Sequence, residues 1–359
     1  MKNTNLKYFL AANSCQGFVS YFAESYNAKA DWRTYIIKGG PGTGKSSFMK
    51  YVAARAQEKN QKILLCPCSS DPDSLDAIIL EDKKIIILDG TSPHTVDPSY
   101  PGAVEEIVNL GAFWKPEALR EKREAIIELT DKNKVLHKAV SGYLRAAGQF
   151  LKENSELSSS AVNKEKALLF AKSVVRKHIP KQQRSKSPVH WTRFLGGVTP
   201  KGIIGYGNTV LAECEKLIII NDDLGAPSNI VIKYIEDIAF ERGYDTITLK
   251  NPLLPEDLRD GIIIPELSFA VVRESDYLHF DTELRRIHAR RFTLPLTLSK
   301  NRSRIKFNKK TTEKLLDSSI ALLKEAKTVH DDLERNYIDA MDFEALTEYA
   351  TNFAKGILQ

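Results

Sequence analysis

Gly39-Gly40-Pro41-Gly42-Thr43-Gly44-Lys45-Ser46 has the spacing G-x-x-x-x-G-K-[ST], and Ser47 follows it. Each part of such a P-loop has a chemical task. Glycines let the backbone curl so that successive N–H groups point inward at a phosphate. The Lys45 ammonium can reach β- and γ-phosphates, and the Ser46 hydroxyl can ligate Mg²⁺. The chain from Lys45 onward opens a helix whose N-terminal dipole favours an anion. Gly40, Pro41, Gly42, Thr43, Gly44, Lys45, Ser46 and Ser47 are therefore the candidate nucleotide-binding residues, with ATP as the expected ligand and Mg²⁺ as its cation.

The flanks suit that reading. Tyr35-Ile36-Ile37 is short, apolar and β-branched, as a buried parallel strand is. From Ser46 to Lys59, apolar residues at Phe48, Met49, Val52, Ala53 and Ala56 have helical spacing. The alternative is a glycine turn followed by a chance Lys-Ser. Further on, Ile85 to Leu88 ends in Asp89-Gly90, the form of a Walker B strand whose carboxylate holds Mg²⁺. Asp-Gly also closes strands merely because it turns well. Thr91-Ser92-Pro93-His94 follows, at a strand's carboxyl end where open α/β sheets place ligands. His94 is a candidate proton acceptor or phosphate contact, or simply polar surface. Lys45, Asp89 and His94 are the candidate catalytic residues, and Ser46 and Asp89 the candidate metal ligands.

At 359 residues, two domains are expected. A hydrophobic content of 42% with mixed charge suits a globular protein with a core. Cys15, Cys66, Cys68 and Cys214 are too few and scattered for a disulfide scaffold, and Cys66-x-Cys68 lacks the second pair of a zinc site. They read as reduced thiols of a cytoplasmic protein. No apolar h-region opens the chain, and no run is long enough for a membrane span.

The remainder reads as a second copy of the beginning. Phe194-Leu195 to Gly202-Ile203-Ile204 parallels Phe9-Leu10 to Gly17-Phe18-Val19, 185 positions earlier. Leu217–Ile220 takes the place of the strand before the P-loop, and Asn221–Asn229 that of the loop. The expected fold is α/β: a P-loop NTPase fold with a mostly parallel sheet and flanking helices, tandemly duplicated, each copy with a helical extension. The expected domains are 1–178 with a helical tail from about 103, a basic linker over 179–193, and 194–359 with a tail from about 311. In the second copy Pro227 aligns with Lys45 and Arg273 with Asp89, while Asp222 and Asp223 face the phosphate position. Lacking the lysine, this copy is expected to repel triphosphate.

Ile36 to Ser47, Cys68 to Asp76, Leu88 to His94, Thr199 to Gly202 and Tyr337 to Phe343 together resemble a bacterial family of tandem-duplicated P-loop proteins. Its members are labelled only as ATPases or ATP-binding proteins, sometimes as nucleotide kinases. The resemblance spans nearly the whole chain and implies a P-loop fold and ATP binding. It also implies a glycine-rich loop with its lysine in the second copy, from which this chain departs.

Three functions are open at this point. One is phosphoryl transfer from ATP to water or a small acceptor, with the Asp71–Asp76 loop and His94 lining the acceptor side. An arginine between Leu284 and Lys310 would then reach the γ-phosphate, or that stretch is a solvated basic surface. The second is a nucleic-acid-linked switch using the acid-free basic stretches 172–193 and 284–310, although aromatics are sparse there. The third is a nucleotide-gated scaffold that binds partners through its helical tails.

Overall fold

The computed structural model describes residues 6–93, 95–182 and 187–359. The first half runs β1 (Leu6–Lys7), β2 (Ala11–Ser14), β3 (Gly17–Ser20), β4 (Arg33–Lys38), α1 (Lys45–Glu58), β5 (Leu64–Pro67), β6 (Leu75–Leu80), β7 (Ile85–Asp89), β8 (Glu105–Asn109), α2 (Pro116–Glu121), α3 (Arg123–Ser160) and α4 (Lys164–His178). The second runs β9 (His190–Phe194), β10 (Gly196–Thr199), β11 (Gly202–Gly205), α5 (Gly207–Glu213), β12 (Lys216–Asn221), α6 (Ala226–Glu241), β13 (Thr246–Lys250), β14 (Arg259–Ile264), β15 (Phe269–Glu274), β16 (Arg286–His288), α7 (Pro295–Lys300), α8 (Arg302–Ile338) and α9 (Phe343–Leu358).

Two six-stranded sheets result, ordered β1-β5-β6-β7-β4-β8 and β16-β12-β15-β14-β13-β9. In the first, β1–β5, β7–β4 and β4–β8 pair in parallel, whereas β5–β6 and β6–β7 are antiparallel. The second repeats that pattern strand for strand. The antiparallel pairs come from short connections. Only the 3₁₀ turn Glu81–Lys83 and Lys84, in the left-handed region at φ 53°, separate β6 from β7, too little chain for a parallel crossover.

Two stretches differ from the sequence expectation. The region from Ala103, expected to be helical, begins with edge strand β8, paired to β4 from Thr34–Glu105 to Lys38–Asn109. The expected linker over 179–193 ends inside β9, which pairs with β13 from His190–Thr246 onward. In both places the edge of a sheet supplied hydrogen-bond partners that local composition does not reveal.

The helical tails pack across the halves. α3 and α8 lie against one another, with Val140, Leu144, Ala147, Leu316 and Leu323 buried between them and the hairpin β10–β11. α9 then returns to the first sheet, where Leu346, Ala350, Ala354, Ile357 and Leu358 share a core with Phe48, Met49 and Val52 of α1. α4 does the reverse, burying Ala167, Ala171, Val174 and Val175 against α6 and the second sheet. Backbone bonds fix each return: Lys115 N–H to Ala340 O at 2.8 Å and Asp342 N–H to Phe113 O at 2.9 Å on one side, Leu294 N–H to Ala161 O at 2.7 Å and Asn163 N–H to Phe292 O at 2.8 Å on the other. Each sheet is thus completed by the terminal helix of the other half. Among the described residues no helix is long and apolar enough to cross a membrane.

Candidate functional site

Chain direction sets the site. β4 ends at Lys38, the glycine-rich loop fills 39–44, and α1 starts at Lys45. The five apolar residues spaced for a helix, Phe48, Met49, Val52, Ala53 and Ala56, are the buried face of α1. Gly44 caps the helix at φ 81°, and Gly42 sits at φ 67°; both are left-handed conformations that side-chain-bearing residues avoid. A Cβ on Gly42 would also lie 2.5 Å from the Glu334 carbonyl oxygen, so glycine is required there twice over. Thr43, fully buried, donates its hydroxyl to Gly40 O at 2.8 Å and pins the loop. The first N–H groups of α1 have no intrahelical acceptor by construction, so this end of the helix presents donors.

Lys45 and Asp89 meet here. Parallel pairing of β4 with β7 sets Ile37 against Asp89. The Lys45 ammonium lies 3.7 Å from Asp89 Oδ2 and donates to Gly40 O at 2.8 Å and Gly39 O at 3.3 Å. Asp89 is nearly buried and accepts from the Thr91 N–H at 2.9 Å and the Thr91 hydroxyl at 2.6 Å. The Ser46 hydroxyl oxygen accepts the Leu75 N–H at 3.0 Å, tying α1 to the start of β6. His94 lies outside the described residues.

Asp76 belongs to the same place. It is the extra residue of a β-bulge, because Cys66 pairs with Ala77 and Pro67 with Leu75. Bulges re-aim a side chain. Asp76 is buried beside Cys68, whose thiol is pushed well up, first by burial and then by the Asp76 charge. The second half has the same bulge at Asp260, and Asp260 there touches Arg273, which occupies the position of Asp89.

The second half's loop departs from the sequence expectation. Four residues, 222–225, separate β12 from α6 where six, 39–44, separate β4 from α1. Gly225, at φ 82°, caps α6 as Gly44 caps α1, so Ala226 rather than Pro227 stands at the Lys45 position. Asp222 is buried and accepts the N–H groups of Gly225 at 3.0 Å and Ser228 at 2.9 Å. Pro227 has no N–H to offer. This loop therefore holds its own carboxylate on the N–H groups at the start of α6. Asp223 points elsewhere and pairs with Lys309 at 3.1 Å. Arg273 donates to Asp260 at 2.6 and 3.0 Å and to Asp222 O at 3.1 Å, filling the space beside the loop.

For 284–310 the sequence leaves open an arginine that reaches the first loop or a solvated basic surface. Arg286 pairs with Glu274, Arg304 with Glu153 of α3, and Lys309 with Asp223 and Asp276. The side chains that arrive from the second half include Glu334 and Tyr337, on the last turns of α8, and Phe343 and Leu346 of α9, which lie against Gly44. Glu334 Oε1 accepts the Gly42 N–H at 3.3 Å and lies 3.5 Å from His330 Nε2. The Tyr337 ring covers Gly40, and a Cβ there would lie 2.8 Å from it. Lys38 also joins the site, donating to Gly90 O, Val96 O and Asp97 at 2.7–2.9 Å and tying the segment after β7 to the strand before the loop. Glu334 and Tyr337 were missed because their position depends on the return of α8 to the first half, nearly 300 residues along the chain; the motif run Tyr337 to Phe343 was the only local sign.

Among the described residues no cluster of three or more His, Cys, Asp or Glu forms a metal cage. Mg²⁺ at a phosphate site does not need one, since it keeps waters and uses one or two protein oxygens beside those of the substrate. Ser46 and Asp89 offer oxygens of that kind. No family model, curated protein or solved structure matches this chain.

Proposed function

We propose that this protein binds Mg²⁺·ATP at the first-half loop and turns it over, by hydrolysis or by transfer to a small acceptor, and that the second half is a duplicated P-loop unit that has lost the site. The carrying observation is that Lys45, at the start of α1, lies 3.7 Å from Asp89 at the end of the adjacent parallel strand. A cation and a carboxylate are thereby set beside a loop that turns through the left-handed glycines Gly42 and Gly44.

Lys45 would leave the Gly39 and Gly40 carbonyls for the β- and γ-phosphates, and the N–H groups of the loop and of the first turn of α1 would bind their oxygens. Ser46 and Asp89, with Asp76 behind them, would hold Mg²⁺, which supplies neutralisation of charge on the phosphates. Phosphoryl transfer rests on positioning and charge stabilisation, so these few groups suffice.

The test is Mg²⁺-dependent release of phosphate from ATP by the full chain, alone and with panels of nucleosides, nucleotides and nucleic acids. Stimulation by one small acceptor identifies a kinase; stimulation by DNA or RNA favours a nucleic-acid-linked switch; no turnover under any condition contradicts the enzymatic part of the proposal.

A further inference from the structure

Both loops already carry a carboxylate on the amides that a phosphate would use, but the two carboxylates come from different places. In the second half it is Asp222, from the loop itself, 5% exposed and held by two N–H groups at 2.9–3.0 Å. It has nowhere else to go. In the first half it is Glu334, from α8, held by the single Gly42 N–H at 3.3 Å and 36% exposed at its side chain. It has a second partner within reach, His330, one turn back on the same helix at 3.5 Å. Lys327, two turns back, is paired with Asp331 and lies 3.5 Å from Asp71 of the loop before β6.

We infer that Glu334 is a removable stand-in for a nucleotide phosphate: it holds the Gly42 amide in the nucleotide-free chain, competes with the incoming triphosphate, and is displaced by it. This rests on the nucleotide reading above. Two like charges cannot share one amide in a poorly solvated loop, so a phosphate at Gly42 and the Glu334 carboxylate at Gly42 exclude each other. Displacement carries the last turns of α8 with it, because the backbone of Glu334 is itself packed on Gly42 and the ring of Tyr337 on Gly40. α8 is the partner of α3 along its length and leads directly into α9 on the first sheet. The arm formed by α3 and α8 is therefore the element whose position reports whether the site is filled.

The test is equilibrium titration of the full chain with a fluorescent ATP analogue and Mg²⁺, for the unaltered protein, Glu334→Gln and Lys45→Ala. Hydrogen exchange of peptides covering 330–342 is followed in parallel. Glu334→Gln keeps the shape and the hydrogen bond but removes the charge, and is expected to bind at least about tenfold more tightly. Exchange over 330–342 is expected to rise on nucleotide binding in the unaltered chain, and in Glu334→Gln to rise at lower nucleotide concentration. Equal or weaker binding by Glu334→Gln, with binding by the unaltered chain still lost in Lys45→Ala, overturns the role of Glu334 and leaves the nucleotide site standing. Absence of binding by both the unaltered chain and Glu334→Gln overturns the nucleotide site, and this inference with it.

Discussion

Phe9 and Phe194 exchange backbone hydrogen bonds, each N–H 2.9 Å from the other's carbonyl oxygen. Both side chains are fully buried, with Tyr206 stacked on Phe9 at 5.1 Å and Tyr21 against Phe194 at 4.9 Å. This reciprocal pair of bonds joins the two halves. The crossing of α4 and α9 joins them as well.

That crossing makes the halves interdependent. A chain ending at residue 178 would lack α9 and expose the face of the first sheet that Leu346, Ile357 and Leu358 cover. Each such side chain contributes about 1.5–3 kcal/mol on burial, against a total stability of roughly 5–15 kcal/mol for a typical domain. Residues 1–178 alone are expected to show no cooperative thermal transition by circular dichroism. Mixing with residues 179–359 is expected to restore one.

Arg273 is the largest fully buried side chain, and its partner Asp260 is buried with it. Replacing Arg273 by Met leaves the buried Asp260 carboxylate without its cation, with the Asn251 amide still donating to it at 3.1 and 3.3 Å; breaking such a buried pair typically costs about 3–5 kcal/mol. Urea denaturation should show a loss of that size, partly recovered by adding Asp260→Asn. Nucleotide affinity at the first loop should not change, since Arg273 serves the other half.

Placing a lysine in the second loop should not create a site. Ala226→Lys supplies the ammonium, but Asp222 still occupies the N–H groups of Gly225 and Ser228. Calorimetry on Ala226→Lys is expected to give the same number of bound nucleotides per chain as the unaltered protein. An additional site would mean that Asp222 yields to phosphate.

Acid should loosen the contact between the halves. Burial alone would raise the Glu81 carboxyl, but Arg193 from the second half, 2.8 Å away, and Lys62 outweigh it and hold it below the ordinary glutamate value. The stabilisation is fully present above that ordinary value, about 4.3, and is lost as pH falls through the lowered folded value. Glu81→Gln should therefore be less stable than the unaltered chain at pH 7, and the difference should shrink on acidification. A difference independent of pH between 7 and 3 would contradict this account.

Local signals were legible in the sequence. The strand Tyr35–Ile37, the buried stripe of α1 and the strand ending at Asp89 each follow from period and turn chemistry within a few residues. What was not legible depends on distant partners. β8 and β9 are edge strands whose pairing comes from β4 and β13, and their own residues are charged or mixed. The alignment of Pro227 with Lys45 failed because the second loop is two residues shorter, which only the matching caps Gly44 and Gly225 reveal. Glu334 reaches Gly42 from far along the chain, and no spacing rule connects them.

Isothermal titration of the full chain asks whether Lys45 and its loop bind Mg²⁺·ATP. The unaltered protein is expected to bind one ATP per chain in the presence of Mg²⁺. Lys45→Ala should lose that binding while keeping its thermal transition, because among the described residues the Lys45 ammonium bonds carbonyls of its own loop and Asp89. Equal affinity in the two proteins, or no heat with either, would contradict the account.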